Sequence, residues 1–329
     1  MREIIIEQND DNQRLDRFLS KYLNKAPASL LQKFIRTKRI KVNKKRTTPD
    51  FMLREGDIVN IYIYDEVLEQ YIDKKEYSTK TNIKIDYIYD DENISILYKP
   101  VGMLTHPASA EDYGKTLLDA YVEDLIRKVE YVPRIEKSFV PAFANRLDRN
   151  TSGMLVGCKN SRSLQDVNSA IKSRLLRRVY RTIVSGILDE KLIIDKNLVK
   201  SETKNRMHTD ESEGQEAKTL IRPIFTRNNY SLVEAELITG RTHQIRAHLA
   251  SINHPIIGDR KYGRKDVNKK LFDDFGLDNQ YLIAYKLVLD GLEDDMSYLN
   301  GKAFKLDSKY YNEKMERKII GGIYEGSFK

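Results

Sequence analysis

The hydrophobic spacing of this 329-residue chain changes character once, across the polar stretch 65–84, and that change divides it into two unlike parts. Ahead of the stretch, Leu15, Phe18, Leu19, Tyr22 and Leu23 recur at helical spacing, which predicts a helix with one apolar face. After Pro27, Ser29 is the expected N-cap of a second helix that turns Leu30, Leu31, Phe34 and Ile35 inward. Its other side carries Gln32, Lys33, Arg36 and Arg39. A short strand at 40–42, a turn at Asn43-Lys44 and a strand at 58–64 complete a compact module. Beyond the stretch, strands are predicted at 94–98, 154–158, 180–187, 217–225 and 231–237. Helices are predicted at 116–129, 161–172 and 242–251. Strands and helices do not alternate evenly, so a doubly wound parallel sheet is disfavoured. The expected organisation is an α+β chain: a small module over 1–64, a linker over 65–82 and a larger domain over 83–329.

Charge is unevenly spread. Between Arg14 and Arg46 stand twelve lysines and arginines against one acid, Asp16, so the remainder of a chain of net charge +8 is slightly acidic. A basic block of this density on a helical pattern points to a polyanion; a solvated basic face with no ligand is the plainer alternative. The longest apolar runs are far below the ~18 residues of a membrane span. The N-terminal apolar run, Ile4–Ile6, is too short and too acidic in its flanks for a signal peptide, so a cytoplasmic chain is expected. Cys158 is the single cysteine, which excludes an internal disulfide and a cysteine-rich zinc site, and it is expected to be a buried core thiol.

Three segments could carry chemistry. In "NRLDRNTSGMLV" (145–156), Arg146 and Asp148 are two apart and point the same way on an extended chain, ahead of a turn of small residues. A surface Arg–Asp pair is the bland reading of that spacing. In "ELITGRTHQIRAHLASINHPIIGDRKYG" (236–263), Thr242 is the expected cap of a helix that places Arg246 one turn from its start. His243 and His248 are five apart, a poor spacing for a shared metal on one helix, and are read as packing, hydrogen-bonding or RNA-contact residues. In "KSRLLRRVYRTIVSG" (172–186), Lys172, Arg174, Arg177, Arg178 and Arg181 surround Tyr180 without an acid, which suits phosphate contact and base stacking. "GKT" at 114–116 imitates the end of a phosphate-binding loop, but the required upstream glycine is Ser109.

Taken together these segments resemble the RluA-type pseudouridine synthases. The matching pieces are "YKPVGMLTHPA" (98–108), "NRLDRNTSGMLV", "RRVYRTIVSG", "GRTHQIRAHLASINHPIIGDRKYG" and the weaker "NRMH" (205–208), and the likeness spans about residues 83–290. Residues 11–63 resemble the small S-four-type (alpha-L) RNA-binding domain through "QRLDRFLSKYL", "LLQKFIRTKRIKVN" and "REGDIVNI". The resemblance implies a mixed, largely antiparallel central sheet with a cleft along it. It makes Asp148 the catalytic aspartate, Arg246 its basic partner and Tyr180 the aromatic residue that packs against the target base. Arg146 would replace the flipped base. RNA contacts are expected from Arg146, Arg149, Lys99, His106, Arg177, Arg178 and Arg241, and from Lys33, Arg36 and Arg39 in the module. The chain departs from the family pattern at Asn145 and Ile283, where histidine is usual.

The implied reaction isomerises uridine to pseudouridine in structured RNA. It neither adds nor removes atoms, so no cofactor is expected, neither a nucleotide nor a metal. Large-subunit ribosomal RNA is the expected partner, with transfer RNA as the alternative, and the chain is read as a monomer. The competing functional readings are a non-catalytic RNA-binding or assembly factor, and a hydrolase built on Asp148 and the histidines.

Overall fold

The computed structural model describes residues 1–72, 81–133, 138–201, 206–210 and 212–321. The first part is a three-stranded antiparallel sheet under two helices. It comprises β1 (Arg2–Ile5), α1 (Leu15–Tyr22), α2 (Ala28–Arg36), β2 (Ile40–Val42), β3 (Ile58–Ile61) and α3 (Asp65–Glu69). Leu15, Phe18, Leu19, Leu31, Phe34 and Ile35 meet in its core, as the helical spacing predicts. Asn43 and Lys44 both adopt positive φ, the backbone of a tight hairpin turn. Two boundaries differ from expectation. Helix α2 starts at Ala28 with Pro27 in the cap position, because proline's fixed φ already sets the entry and Ser29 falls inside the first turn. The strand expected to run to Tyr64 stops at Ile61. The chain then turns into α3, whose Leu68 is fully buried in the module core with Tyr71 and Ile72 packed against it. The expected linker thus begins as folded structure. Its residues 73–80 lie outside the described residues, as does Asn205 of the "NRMH" piece.

The second part is built on a large sheet. Its elements are β4 (Asp86–Asp90), β5 (Ile94–Lys99), α4 (Leu117–Arg127), β6 (Ala142–Phe143), β7 (Ser152–Cys158), α5 (Ser161–Lys172), β8 (Arg177–Ser185), β9 (Leu192–Asp195), β10 (Asn197–Lys200), β11 (Met207–Asp210), β12 (Lys218–Arg227), β13 (Tyr230–Leu237), α6 (Gln244–Ser251), α7 (Lys265–Phe275), β14 (Leu282–Val288), β15 (Ala303–Lys305) and α8 (Glu313–Ile320). The strand order is β4-β5-β7-β14-β8-β13-β12-β9, with β6 paired to β7 and β15 to β14; β10 and β11 form a separate hairpin. Of these pairs only β14–β7 is parallel, so the sheet is mixed and largely antiparallel. Among the described residues no helix is long and apolar enough to cross a membrane.

Alternation along the strands sorts side chains onto two faces. Ile96, Met154, Val156, Ile183, Ile283 and Tyr285 form the back core under α5, α7 and α8. Leu97, Leu155, Tyr180, Val184, Leu282 and Ala284 form the front core with α4 and α6. Strand β7 is buried along its whole length because both faces are covered, which is why it reads as a continuous apolar run rather than an alternating one. At its start, Gly153 has φ +122°, and a Cβ there would lie 2.4 Å from the backbone of Ala284. Glycine is what allows β14 to approach at this point.

Candidate active site

A cleft of about 1000 Å³ opens on the front face between the 104–108 loop, the 145–151 loop, β8 and the segment leading into α6. Asp148 sits in the loop between β6 and β7 and is laced to its neighbours through backbone. Thr105 donates its hydroxyl to the Leu147 carbonyl at 2.9 Å, and Thr151 N–H donates to the Asp148 carbonyl at 3.0 Å. Gly102 N–H and Lys99 Nζ both donate to the Arg149 carbonyl, at 2.9 Å and 3.0 Å. Lys99 also donates to the carbonyls of Met103 and Pro100. Its exposure is 0%. Burial pulls its pKa down to about 7, while three carbonyls match the three N–H donors of an ammonium. Lys99 therefore ties two loops together from inside. The expectation that it contacts RNA is corrected, because its charged end faces no solvent.

Arg246 reaches the Asp148 carboxylate from α6: Nη1 lies 2.9 Å from Oδ2. The Arg246 side chain is only 6% exposed, whereas that of Asp148 is 30% exposed and faces the cleft. Asp259 holds the arginine, accepting Nε at 2.7 Å and Nη2 at 3.0 Å, and also accepts the backbone N–H groups of Lys261 and Tyr262. Burial alone would lower the pKa of Arg246; Asp259 first and Asp148 next raise it above its ordinary value. The guanidinium is thus a fixed cation with one donor aimed at Asp148. Tyr180 lies on β8 in the front core, and burial raises its pKa, so its phenol stays neutral.

The other expected site residues divide. Arg146, Arg149, His106, Arg178 and Arg241 line the cleft together with Asp148 and Tyr180. Arg149 also donates Nε to the Gly102 carbonyl, and Arg241 donates Nε to that of Glu216. Arg177 lies apart from these and is exposed. It is one residue from Arg178 on an alternating strand, does not line the cleft, and forms a two-pronged pair with Glu236 at 2.7 Å and 3.0 Å. Arg181 likewise turns to the back face and is buried against Glu316. Lys33, Arg36 and Arg39 are exposed on α2 and just beyond it. Thr242 is exposed and caps nothing; His243, with φ +54°, is the residue before α6.

The plainer readings hold elsewhere. His248 is fully buried, bonded to Thr219 Oγ1 and the Lys196 carbonyl at 2.9 Å each. Among the described residues no acid, histidine or cysteine cluster could hold a metal. Thr116 caps α4, and Asp119 takes the N–H groups of Gly114 and Thr116, so "GKT" has no free backbone cradle. Cys158 is buried and its pKa is pushed up to about 12. Asn145 lines the cleft, but its amide is bonded to backbone, accepting from Val156 N–H at 2.8 Å and donating to the Met154 carbonyl at 3.4 Å, and Ile283 lies in the back core. Sequence reasoning missed Asp259 and Tyr262. Their only signal was their presence in the quoted segment "IIGDRKYG".

Residues 93–251 match the family model of the RNA pseudouridylate synthases, and residues 13–59 match that of the S4 domain. A relative called an uncharacterized RNA pseudouridine synthase, from Mycoplasma capricolum subsp. capricolum, is 30% identical over 92% of this chain and 96% of its own. The ribosomal large subunit pseudouridine synthase C of Buchnera aphidicola subsp. Schizaphis graminum is 32% identical over 80% of this chain and 82% of its own. A synthase D from the same organism is 30% identical over 82% and 84%. The chain belongs to the RluA-type RNA pseudouridine synthases, isomerases whose substrate is RNA, and it carries an S4 domain ahead of the synthase domain.

Proposed function

We propose that this chain, acting as a monomer, converts specific uridines of large-subunit ribosomal RNA to pseudouridine, with Asp148 as the catalytic carboxylate. The observation that carries the assignment is the Arg246–Asp148 contact at 2.9 Å on the floor of the cleft. A buried, Asp259-anchored arginine holds one carboxylate oxygen while the rest of the group faces the cleft. The target nucleotide leaves its stack at a cost of a few kcal/mol. Arg146, exposed at the cleft edge, fills the space it vacates, and packing against Tyr180 returns roughly 1–3 kcal/mol. Asp148 then acts on the ribose, either by attack at C1′ or by removing a ribose proton to give a glycal. The bond from C1′ to N1 breaks, the base rotates, C5 joins C1′, and the C5 proton is released to solvent. Every atom except that exchanged proton stays in the nucleotide, so the reaction consumes no cofactor.

Large-subunit ribosomal RNA is favoured because synthases C and D, both named for that subunit, align over more than four-fifths of their own lengths. Arg149, Arg178, Arg241 and His106 in the cleft, with Lys33, Arg36 and Arg39 on the module, are assigned to RNA contact. Carbodiimide mapping of ribosomal and transfer RNA, in cells with the wild-type chain and with Asp148→Ala, tests the reading. Loss of a ribosomal site only in the variant is expected. A lost transfer RNA site would change the substrate, and unchanged maps would leave the non-catalytic reading instead.

A further inference from the structure

The Asp148 carboxylate is held from one side. Arg246 Nη1 donates to Oδ2 at 2.9 Å, and His243 Nε2 stands 3.6 Å from the same oxygen. Among the described residues Oδ1 accepts no hydrogen bond. The protonation of His243 follows from counting donors. The Tyr262 hydroxyl oxygen accepts the backbone N–H of Met207 at 2.7 Å and lies 3.1 Å from His243 Nδ1. Nδ1 is the acceptor in reach of the phenol's one proton, so the arrangement that pairs that proton has Nδ1 accepting. Burial lowers the pKa of His243 against the opposing pull of Asp148. A neutral imidazole whose Nδ1 accepts carries its proton on Nε2, the nitrogen aimed at Asp148.

The surroundings hold this arrangement in place. Arg206 and Arg246 lie over the Tyr262 ring at 4.5 Å and 5.0 Å, and the imidazole stands edge-on to it at 5.7 Å. His243 adopts the left-handed region, φ +54°, a conformation histidine takes only at some cost. Its carbonyl accepts the N–H of Ala247 at 2.9 Å, opening α6.

We propose that His243 is a positioning residue for the isomerisation: its Nε2–H donates to Asp148 Oδ2 when RNA fills the cleft, fixing with Arg246 the rotation of the carboxylate and leaving Oδ1 as the oxygen that meets the ribose. The 3.6 Å gap is longer than a hydrogen bond, and contacts of this kind shorten when the substrate complex forms. The inference rests on Asp148 being the catalytic carboxylate.

The test uses the full chain and large-subunit ribosomal RNA transcript carrying tritium at uridine carbon 5, which the reaction releases. His243→Leu keeps bulk but no donor. It lowers kcat roughly tenfold or more, the loss of one charge-assisted hydrogen bond, with KM within about twofold. His243→Gln restores a donor at the Nε2 position and recovers most of kcat. Nitrogen NMR of the imidazoles, with the His243 signals assigned through His243→Gln, places the proton on Nε2 in the wild type and delocalises it in Tyr262→Phe. This second readout needs no turnover and decides the matter if His243→Leu does not fold. A proton on Nδ1, or His243→Gln no better than His243→Leu, or full kcat in His243→Leu overturns the proposal. Retained activity in Asp148→Ala would instead overturn the assignment of Asp148 and leave the tautomer result standing.

Discussion

Arg178 stands among arginines that have partners. Arg177 pairs with Glu236 and Arg181 with Glu316, whereas the buried Nε of Arg178 has no acceptor and no carboxylate among the described residues pairs with it. Its guanidinium lies beside Gly240, where a Cβ would sit 3.0 Å from Nη1. A half-buried cation without a counter-charge lowers stability, which is consistent with a site that meets RNA phosphate. Arg178→Met should therefore raise Tm by about 2–4 °C, the equivalent of about 1 kcal/mol, while weakening RNA binding. The slope of log affinity against log salt should fall by about one. Thermal melts and salt-dependent binding check this; a lower Tm with unchanged binding would make Arg178 a packing residue. In the sequence Arg177, Arg178 and Arg181 are equivalent basic positions. Strand alternation and acids tens of residues away decide which one keeps an open charge.

At the scale of elements, helix α8 closes the back of the sheet and matched no pattern in the sequence. Glu316, fully buried, accepts Arg181 Nε at 2.8 Å, Arg181 Nη2 at 2.6 Å and the Tyr281 hydroxyl at 2.7 Å. Removing one partner leaves an uncompensated buried charge. Glu316→Ala should cost about 3–5 kcal/mol, and the Arg181→Met, Glu316→Leu double variant should recover most of it. Denaturant unfolding of the three proteins measures both numbers; a double variant as unstable as the single would mean that the pair itself stabilises the fold. Helix α5 lies where its periodicity predicts, and Asn160 caps it by accepting the N–H of Ser163 at 2.8 Å. Helix α6 does not begin at its predicted cap: Gln244 is drawn inward to Thr219 and the Lys218 carbonyl, which places His243 rather than Thr242 at the helix entrance. A tertiary hydrogen-bond set thus overrode a local capping preference.

Across the whole molecule, the described residues include polar contacts between the module and the synthase domain. Asn9 Oδ1 accepts the N–H of Ser161 at 3.1 Å, and Gln13 Nε2 donates to Ser138 Oγ at 3.1 Å. Each part has its own apolar core. RNA grip and chemistry should therefore separate in experiment. Replacing Lys33, Arg36 and Arg39 together by alanine should weaken RNA binding and flatten the salt slope by roughly two to three, at up to about 0.9 per phosphate lost. At saturating RNA, kcat should stay within about twofold. A fall in kcat with unchanged affinity would mean that the module shapes the cleft instead.

By itself the sequence determined the local features: helical faces, fully buried strands, the hairpin turn at Asn43-Lys44, and the motifs that name the family. These depend on neighbours within a few positions, so spacing alone reveals them. Only the tertiary structure decided which polar groups face one another. It brought Asp259 to Arg246, Tyr262 to His243 and Glu316 to Arg181, and it turned Lys99 inward and Arg177 away from the cleft. Those outcomes depend on sheet order and on which partner removes a buried charge from isolation, and neither leaves a periodic trace in the chain.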